Sequence, residues 1–346
     1  MNTRARGRHV EVRVDRGLPT AFEASTPSPG PGELLVATRA AALGPDDLKA
    51  FEGCVLSGEF AGDVLAVGPD VASSLVGSAV AVLGYRPCAR CHRCLDGVST
   101  ACADIGLRGR TIDGGLSGAV LVRTSDVMVL PPGLSHEQAA LMHRVASALR
   151  ALHRGPASPG EAVAILGGTP LALATCAVVL AAGSGRTAFV DDHAGCRAVM
   201  EHLGARSLER PSEASGWEDL AVWLGGYGAD VVYECAGSAE SRLEAVELAR
   251  PAGSVVLLAH DDTPVTMDLN LIVMGAKRVR GSCHYALSDG RVALDLIARS
   301  LVNAAALVGR TVSILDVLAD PEFLDGFTDC RATIVQWPAS AEVNLA

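Results

Sequence analysis

The stretch CARCHRCLDGVSTAC, residues 88–102, places four cysteines at C-x2-C-x2-C-x7-C spacing. Four thiolates that close together in the chain can enclose one tetrahedral zinc ion, and such closed four-cysteine sites are architectural. Disulfide pairing is disfavoured, because cysteines three residues apart bridge poorly. An iron–sulfur cluster is a further reading, although the x7 gap before Cys102 departs from the x3 run common in ferredoxins. The expectation is one structural Zn2+ per chain, held by Cys88, Cys91, Cys94 and Cys102.

The rest of the chain must carry any chemistry. Its 346 residues exceed one compact core and suit two domains. The basic start MNTRARGRHVEV has no apolar stretch behind it, so no secretory signal is expected and a reducing, cytoplasmic setting is. Six further cysteines (Cys54, Cys176, Cys196, Cys235, Cys283 and Cys330) are scattered, as free core thiols are. A formal charge of −10 argues against a nucleic-acid partner. The longest apolar run, 171–182, is too short for a bilayer, so no membrane partner is expected either.

Up to about residue 130 the chain reads as short strands broken by Gly and Pro, among them PGELLVATRAAAL and GEFAGDVLAVGPDV. From about residue 136 the pattern alternates. HEQAALMHRVASALRALHR has helical spacing, EAVAILGG is a buried strand, TPLALATCAVVLAAGSG a helix and RTAFVDD a second strand. ADVVYECAG and GSVVLLAH follow as further strands. Strand–helix alternation predicts a doubly wound parallel sheet. The fold class expected is α/β, with a β-rich domain followed by a nucleotide-type domain.

AVAILGGTPLALAT puts Gly167, Thr169 and Ala172 at the three positions of a G-x-G-x-x-G turn. That turn brings backbone amides at a helix N-terminus against a pyrophosphate. Asp191 ends the next strand, where a carboxylate can take the ribose hydroxyls. The Asp191–Asp192 pair would repel a 2′-phosphate, which favours NAD(H) over NADP(H). Gly167, Gly168, Thr169, Pro170, Leu171, Asp191 and Ala236 are the expected cofactor contacts.

The cysteine lobe followed by this turn resembles the zinc-type alcohol dehydrogenases of the medium-chain dehydrogenase/reductase superfamily. PGPGELLV, GEFAGDVLAVGPDV and ADVVYECAGS extend the likeness over nearly the whole chain. The resemblance implies a GroES-like catalytic domain from 1–147 and 285–346, with the zinc lobe at 88–102, and a Rossmann NAD-binding domain at 148–284. It also implies an NAD(P)-dependent oxidoreductase of a small-molecule substrate, forming a homodimer or homotetramer.

In that family a second, catalytic zinc is held by Cys, His and a further Cys or Glu. AALGPDDLKAFEG is similar to the first ligand segment, A-x-V-C-G-[ST]-D-L-H-x-x-x-G, but Gly44 stands at the ligand Cys. Asp46 stands at the relay Ser/Thr, Asp47 is kept and Lys49 stands at the relay His. LSGEFAG is similar to G-H-E-F-x-G with Gly58 at the ligand His and Glu59 kept, and His143 falls on the third ligand position. GPDDLK and GEFAG also resemble the zinc-free quinone oxidoreductases.

The resemblance thus implies hydride transfer to or from a carbonyl, an alcohol or an activated C=C bond without a catalytic zinc. Lys49 and His143 are the expected acid/base or oxyanion-stabilising groups, with Asp46 orienting Lys49. Two alternatives stay open: a zinc alcohol dehydrogenase with a rearranged set such as Cys54, Glu59 and His143, or a catalytically silent nucleotide-binding relative.

Overall fold

A computed structural model of the chain describes residues 7–44, 47, 50–261, 263–319 and 330–338. Two extended sheets organise them. The first combines strands from both ends of the chain, in the order Val308–Ser313, Ala332–Gln336, Glu33–Leu43, Glu59–Val67, Ala79–Val82, Val127–Val129. Val120–Arg123 pairs with the opening of Glu33–Leu43. Most pairings are antiparallel, and Ala332–Gln336 returns from the far end of the sequence to pair Thr333 with Leu43. A two-stranded ribbon, Arg8–Asp15 with Leu18–Ser25, packs Val10, Val12 and Val14 into the core of this β-rich half.

Small residues shape the central strands. Glu33–Leu43 and Glu59–Val67 slip register between Thr38 and Ala40. Gly62 sits at that slip, where any added side chain would collide with the carbonyl of Ala37. Gly there permits the local coil of the sheet that a flat ladder would not allow.

The second sheet has six parallel strands in the order Arg206–Leu208, Thr187–Val190, Val163–Leu166, Ala229–Glu234, Ala249–Leu257, Arg278–Gly281. The chain winds one way from Val163–Leu166 and then the other. The carboxyl end of that central strand is therefore the topological switch point, where such sheets bind ligands. The central strands Val163–Leu166 and Thr187–Val190 are buried at every position and read as short apolar runs, as strands covered on both faces do.

Helix Met142–Arg154 leads from the β-rich half toward this sheet, packed against helices Pro170–Ala181 and Leu287–Ala298. A shorter helix, His136–Ala140, precedes it, opened by a capping box in which Ser135 and Gln138 each satisfy the other's backbone N–H. The helical stretch expected from the sequence is thus two helices meeting at Leu141, whose φ and ψ are −83° and −3°. This joint places His143 and Arg144 in a first turn at the seam of the two halves. No described helix is long and apolar enough to cross a membrane.

Candidate active site

The cysteine lobe is built for a metal. The ligand atoms of Cys88, Cys91, Cys94 and Cys102 all lie within 4.8 Å of one another. Sulfur–sulfur separations of 3.5, 3.9 and 4.0 Å bracket the ~3.8 Å edge of a tetrahedron with Zn–S bonds of about 2.3 Å. The backbone N–H groups of Cys91 and Cys88 donate to the sulfurs of Cys88 and Cys102, which suits thiolates. The pairing of Tyr85–Arg86 with Gly106–Leu107 closes the base of the lobe. It is the only group of three or more potential metal ligands among the described residues.

At the switch point, Gly167 has φ of 99°, and a β-carbon there would stand 2.6 Å from that of Ala236. Only glycine meets both demands. Thr169 is different: its φ of −117° is open to any residue. Its hydroxyl caps helix Pro170–Ala181 by accepting from Ala172 N at 3.1 Å, and it donates to the carbonyl of Cys235. The departure from glycine at this position is therefore an N-cap. Pro170 follows at the first helical position, where its missing N–H costs nothing.

Asp191 accepts from Gly168 N at 2.6 Å and from His193 N at 2.8 Å, so its carboxylate is pinned across the glycine turn. Ala236 N donates to Glu234, whose Oε1 also takes Gly237 N and the Ser241 hydroxyl while Oε2 is buried without a partner. Leu171 is half-buried beside Pro170. Gly168 is thus tied to Asp191, Gly167 lies against Ala236, and Thr169, Pro170 and Leu171 open the helix that follows, all at the carboxyl end of the central strand. The left-handed glycine, the capped twelve-residue helix and the acid at the second strand's end fit a dinucleotide.

Across the crevice lies the β-rich half. Asp47 accepts Gly44 N at 2.7 Å and also a backbone N–H from Gly58. Loss of hydration, then the nearby Glu59 charge, push its carboxyl up to about 7 despite Arg144 and those two amides. Glu59 opens its strand and accepts from Arg144 Nε at 2.6 Å. Arg144 is 5% exposed. A β-carbon placed on Gly44 would meet both Arg144 Nη2 and Pro170 Cγ at 3.3 Å. A β-carbon on Gly58 would meet the carbonyl oxygen of Arg108 at 2.7 Å. The two glycines at the family's ligand positions are therefore matched to what surrounds them: a guanidinium at one and a backbone carbonyl at the other.

His143 packs against the backbone of Gly84, with its ring edge-on to Tyr285 at 5.1 Å. Burial, then the Arg144 charge, lower its pKa to about 4. Its Nδ1 is buried without a partner. His284, at φ of 54°, is lowered to about 4 as well, by burial and then by His143. Tyr85 donates to the Tyr285 carbonyl, and Gly84 N donates to the Tyr285 hydroxyl at 3.3 Å. An imidazole held near 4 is neutral at pH 7.

Lys49 and Asp46 lie outside the described residues. Cys54 Sγ donates to the carbonyl of Ile112 at 3.1 Å, and Cys54 joins no metal-ligand group with Glu59 and His143 among the described residues. Sequence reasoning passed over Arg144, Tyr285 and His284. Arg144 carried one signal, a charge inside the apolar run AALMHRVASAL; Tyr285 and His284 carried none.

Residues 30–132 match the family described as the alcohol dehydrogenase GroES-like domain, and residues 170–299 match the one described as zinc-binding dehydrogenase. The chain belongs to the medium-chain dehydrogenase/reductase superfamily of oxidoreductases. It is 27% identical over 267 residues to D-xylulose reductase A of Aspergillus oryzae, covering 76% of this chain and 75% of that one. It is 28% identical over 271 residues to L-threonine 3-dehydrogenase of Pyrococcus horikoshii, covering 75% and 78%. Among solved structures, a zinc-binding dehydrogenase of Sinorhizobium meliloti 1021 bound to NADP has a TM-score of 0.86 at 27% identity, with 95% of this chain and 99% of that one covered. Alcohol dehydrogenase TADH from Thermus sp. ATN1 has a TM-score of 0.88 at 22% identity, covering 95% and 100%, and shares the fold.

Proposed function

We propose that the chain is an NAD(H)-dependent oxidoreductase that moves a hydride to or from a small carbonyl or alcohol, or an activated C=C bond, without a catalytic zinc. The supporting observation is the pair Gly44 and Gly58, which offer no ligand atom, with the Arg144 guanidinium lying against Gly44. The structural zinc belongs to Cys88, Cys91, Cys94 and Cys102, away from the crevice.

Bound NADH would supply a hydride donor to an unsaturated carbon. Gly167, Gly168, Thr169, Pro170 and Leu171 would hold its pyrophosphate, with Asp191 toward the ribose and Ala236 lining the crevice. The pinned Asp191 and its neighbour Asp192 disfavour a 2′-phosphate, although the Sinorhizobium meliloti relative was solved with NADP. Neutral His143 and His284 shape the wall of the substrate cleft and can exchange hydrogen bonds with a polar substrate. Lys49 stays in this proposal as a second cation, oriented by Asp46. By resemblance the chain would form a homodimer or homotetramer in the cytoplasm.

The test is NADH and NADPH oxidation over a panel of small aldehydes, ketones and enones, with and without o-phenanthroline. NADH-linked turnover is expected from protein that carries one zinc per chain, the lobe's own, and brief chelation that leaves this zinc in place should not change it. Turnover that needs a second zinc per chain would favour a catalytic zinc, and cofactor binding without turnover would favour a silent relative.

A further inference from the structure

Arg144 is an expensive residue where it stands. It is a buried cation in the first turn of helix Met142–Arg154, the end at which the helix dipole disfavours positive charge. Glu59 offsets that charge through Nε. Nη2 lies along Gly44 and beside Pro170, the first residue of the helix that follows the glycine turn. Nη1 is buried and has no hydrogen-bond partner. A guanidinium cannot be deprotonated to escape this, so an N–H is held ready for an acceptor the chain does not itself supply.

Resting on the reading above, we propose that Arg144 is a catalytic residue whose guanidinium receives the substrate's oxygen on its Nη2 side, along Gly44, and stands in the place a metal ion would otherwise take. The same two glycines that remove metal ligands make the room. Gly44 leaves space for Nη2, and Gly58 lets the Arg108 carbonyl close behind.

In the reductive direction the substrate carbon gains a hydride, the C=O π pair moves onto oxygen, and that oxygen takes a proton from water while the nicotinamide cofactor is oxidised. Arg144 gives up no proton. It holds the oxygen by a charge-assisted hydrogen bond that strengthens as negative charge builds there. Glu59 fixes the plane of the guanidinium and keeps it from swinging onto the cofactor's phosphates. An enone substrate would place its carbonyl oxygen in the same position while the hydride arrives at the β-carbon.

The test compares wild type, Arg144→Lys and Arg144→Met with the best carbonyl of the panel. Three quantities are read: kcat, the NADH dissociation constant by fluorescence, and the carbonyl stretch of that substrate in its non-reactive complex with NAD+. The expected result is a loss in kcat of about 100-fold or more for Arg144→Met, the scale of removing one oxyanion donor. NADH affinity should stay within about threefold. The lowered carbonyl frequency of the wild-type complex should return toward its free value, with Arg144→Lys intermediate.

An unchanged kcat would overturn the proposal. So would a loss confined to NADH affinity with the carbonyl shift intact, since Arg144 would then be a phosphate ligand. If Arg144→Met does not fold, Arg144→Met/Glu59→Gln removes both charges and is read the same way. A wild type that binds NADH yet turns over nothing in the panel removes the functional reading itself and this proposal with it, a result separable from an active wild type indifferent to Arg144.

Discussion

Asp47 and Glu59 are two carboxyl groups that share one guanidinium, and only Glu59 is bonded to it, through Arg144 Nε at 2.6 Å. Asp47 is left with backbone amides and a like charge nearby, which holds its carboxyl up at about 7. A carboxyl raised in the fold binds a proton there that the unfolded chain releases, so its stabilisation is present at low pH and lost as pH rises toward and through 7. Asp47→Asn keeps an acceptor oxygen for Gly44 N and carries no charge. Thermal unfolding followed against pH should show this variant gaining roughly 1–3 kcal/mol on wild type above about pH 7 and little near about pH 4. Equal gains at both ends would show that Asp47 does not titrate in this range.

His143 carries the opposite slope. Its folded pKa of about 4 lies below the usual 6.5, so the fold prefers the neutral ring. The unfolded chain takes up the proton first as pH falls, and stability drops between about 6.5 and 4. His143→Gln should flatten that part of the profile by roughly 1–3 kcal/mol. Nuclear magnetic resonance titration of the His143 ring gives the direct check, and a midpoint near the ordinary 6.5 would sink the account.

Glu59→Gln leaves a buried guanidinium without its counter-charge. About 3–5 kcal/mol of stability should be lost, the range for removing one partner of a buried pair. Arg144→Met on top of it should return much of that loss, because two neutral groups need no compensation. Denaturant melts of the two single variants and the double variant close the cycle; additive losses would mean that the two residues do not act as a pair.

The lobe makes a metal prediction. Elemental mass spectrometry should find one zinc per chain, and none after Cys91→Ser. Since metal and folding are linked, the lobe should also become protease-sensitive on chelation. A zinc ion that survives Cys91→Ser would place a second metal site elsewhere in the chain.

At the nucleotide turn, Gly167→Ala combines a left-handed backbone with a methyl group 2.6 Å from the Ala236 β-carbon. Stability should fall by about 1–3 kcal/mol, and NADH should bind at least about tenfold more weakly as the turn opens. Calorimetric titration with NADH measures both the affinity and whether the site survives. Thr169→Gly removes the helix cap, at a few tenths of a kcal/mol, and the hydroxyl's bond to the Cys235 carbonyl, so the total cost should be about 0.5–1.5 kcal/mol with the turn intact.

Much of the architecture is legible along the chain because it is local. Cysteine spacing alone brings four sulfurs to one lobe. Apolar runs between helical stretches dictate a covered parallel sheet, and a glycine after such a run marks where a dinucleotide can approach. The losses at Gly44 and Gly58 are legible too, as residues without donor atoms. What took their place is not. Arg144 meets Glu59 across 85 positions of sequence, and Pro170 reaches Gly44 from the other half of the molecule. The His143–Tyr285 contact joins a helix start to a loop beyond the last parallel strand. Periodicity tells which face of an element is buried, but not which buried faces will meet. A charge can be buried only where a partner happens to arrive, so the counter-charge, the displaced pKa values of Asp47 and His143, and the open N–H of Arg144 were decided by tertiary structure alone.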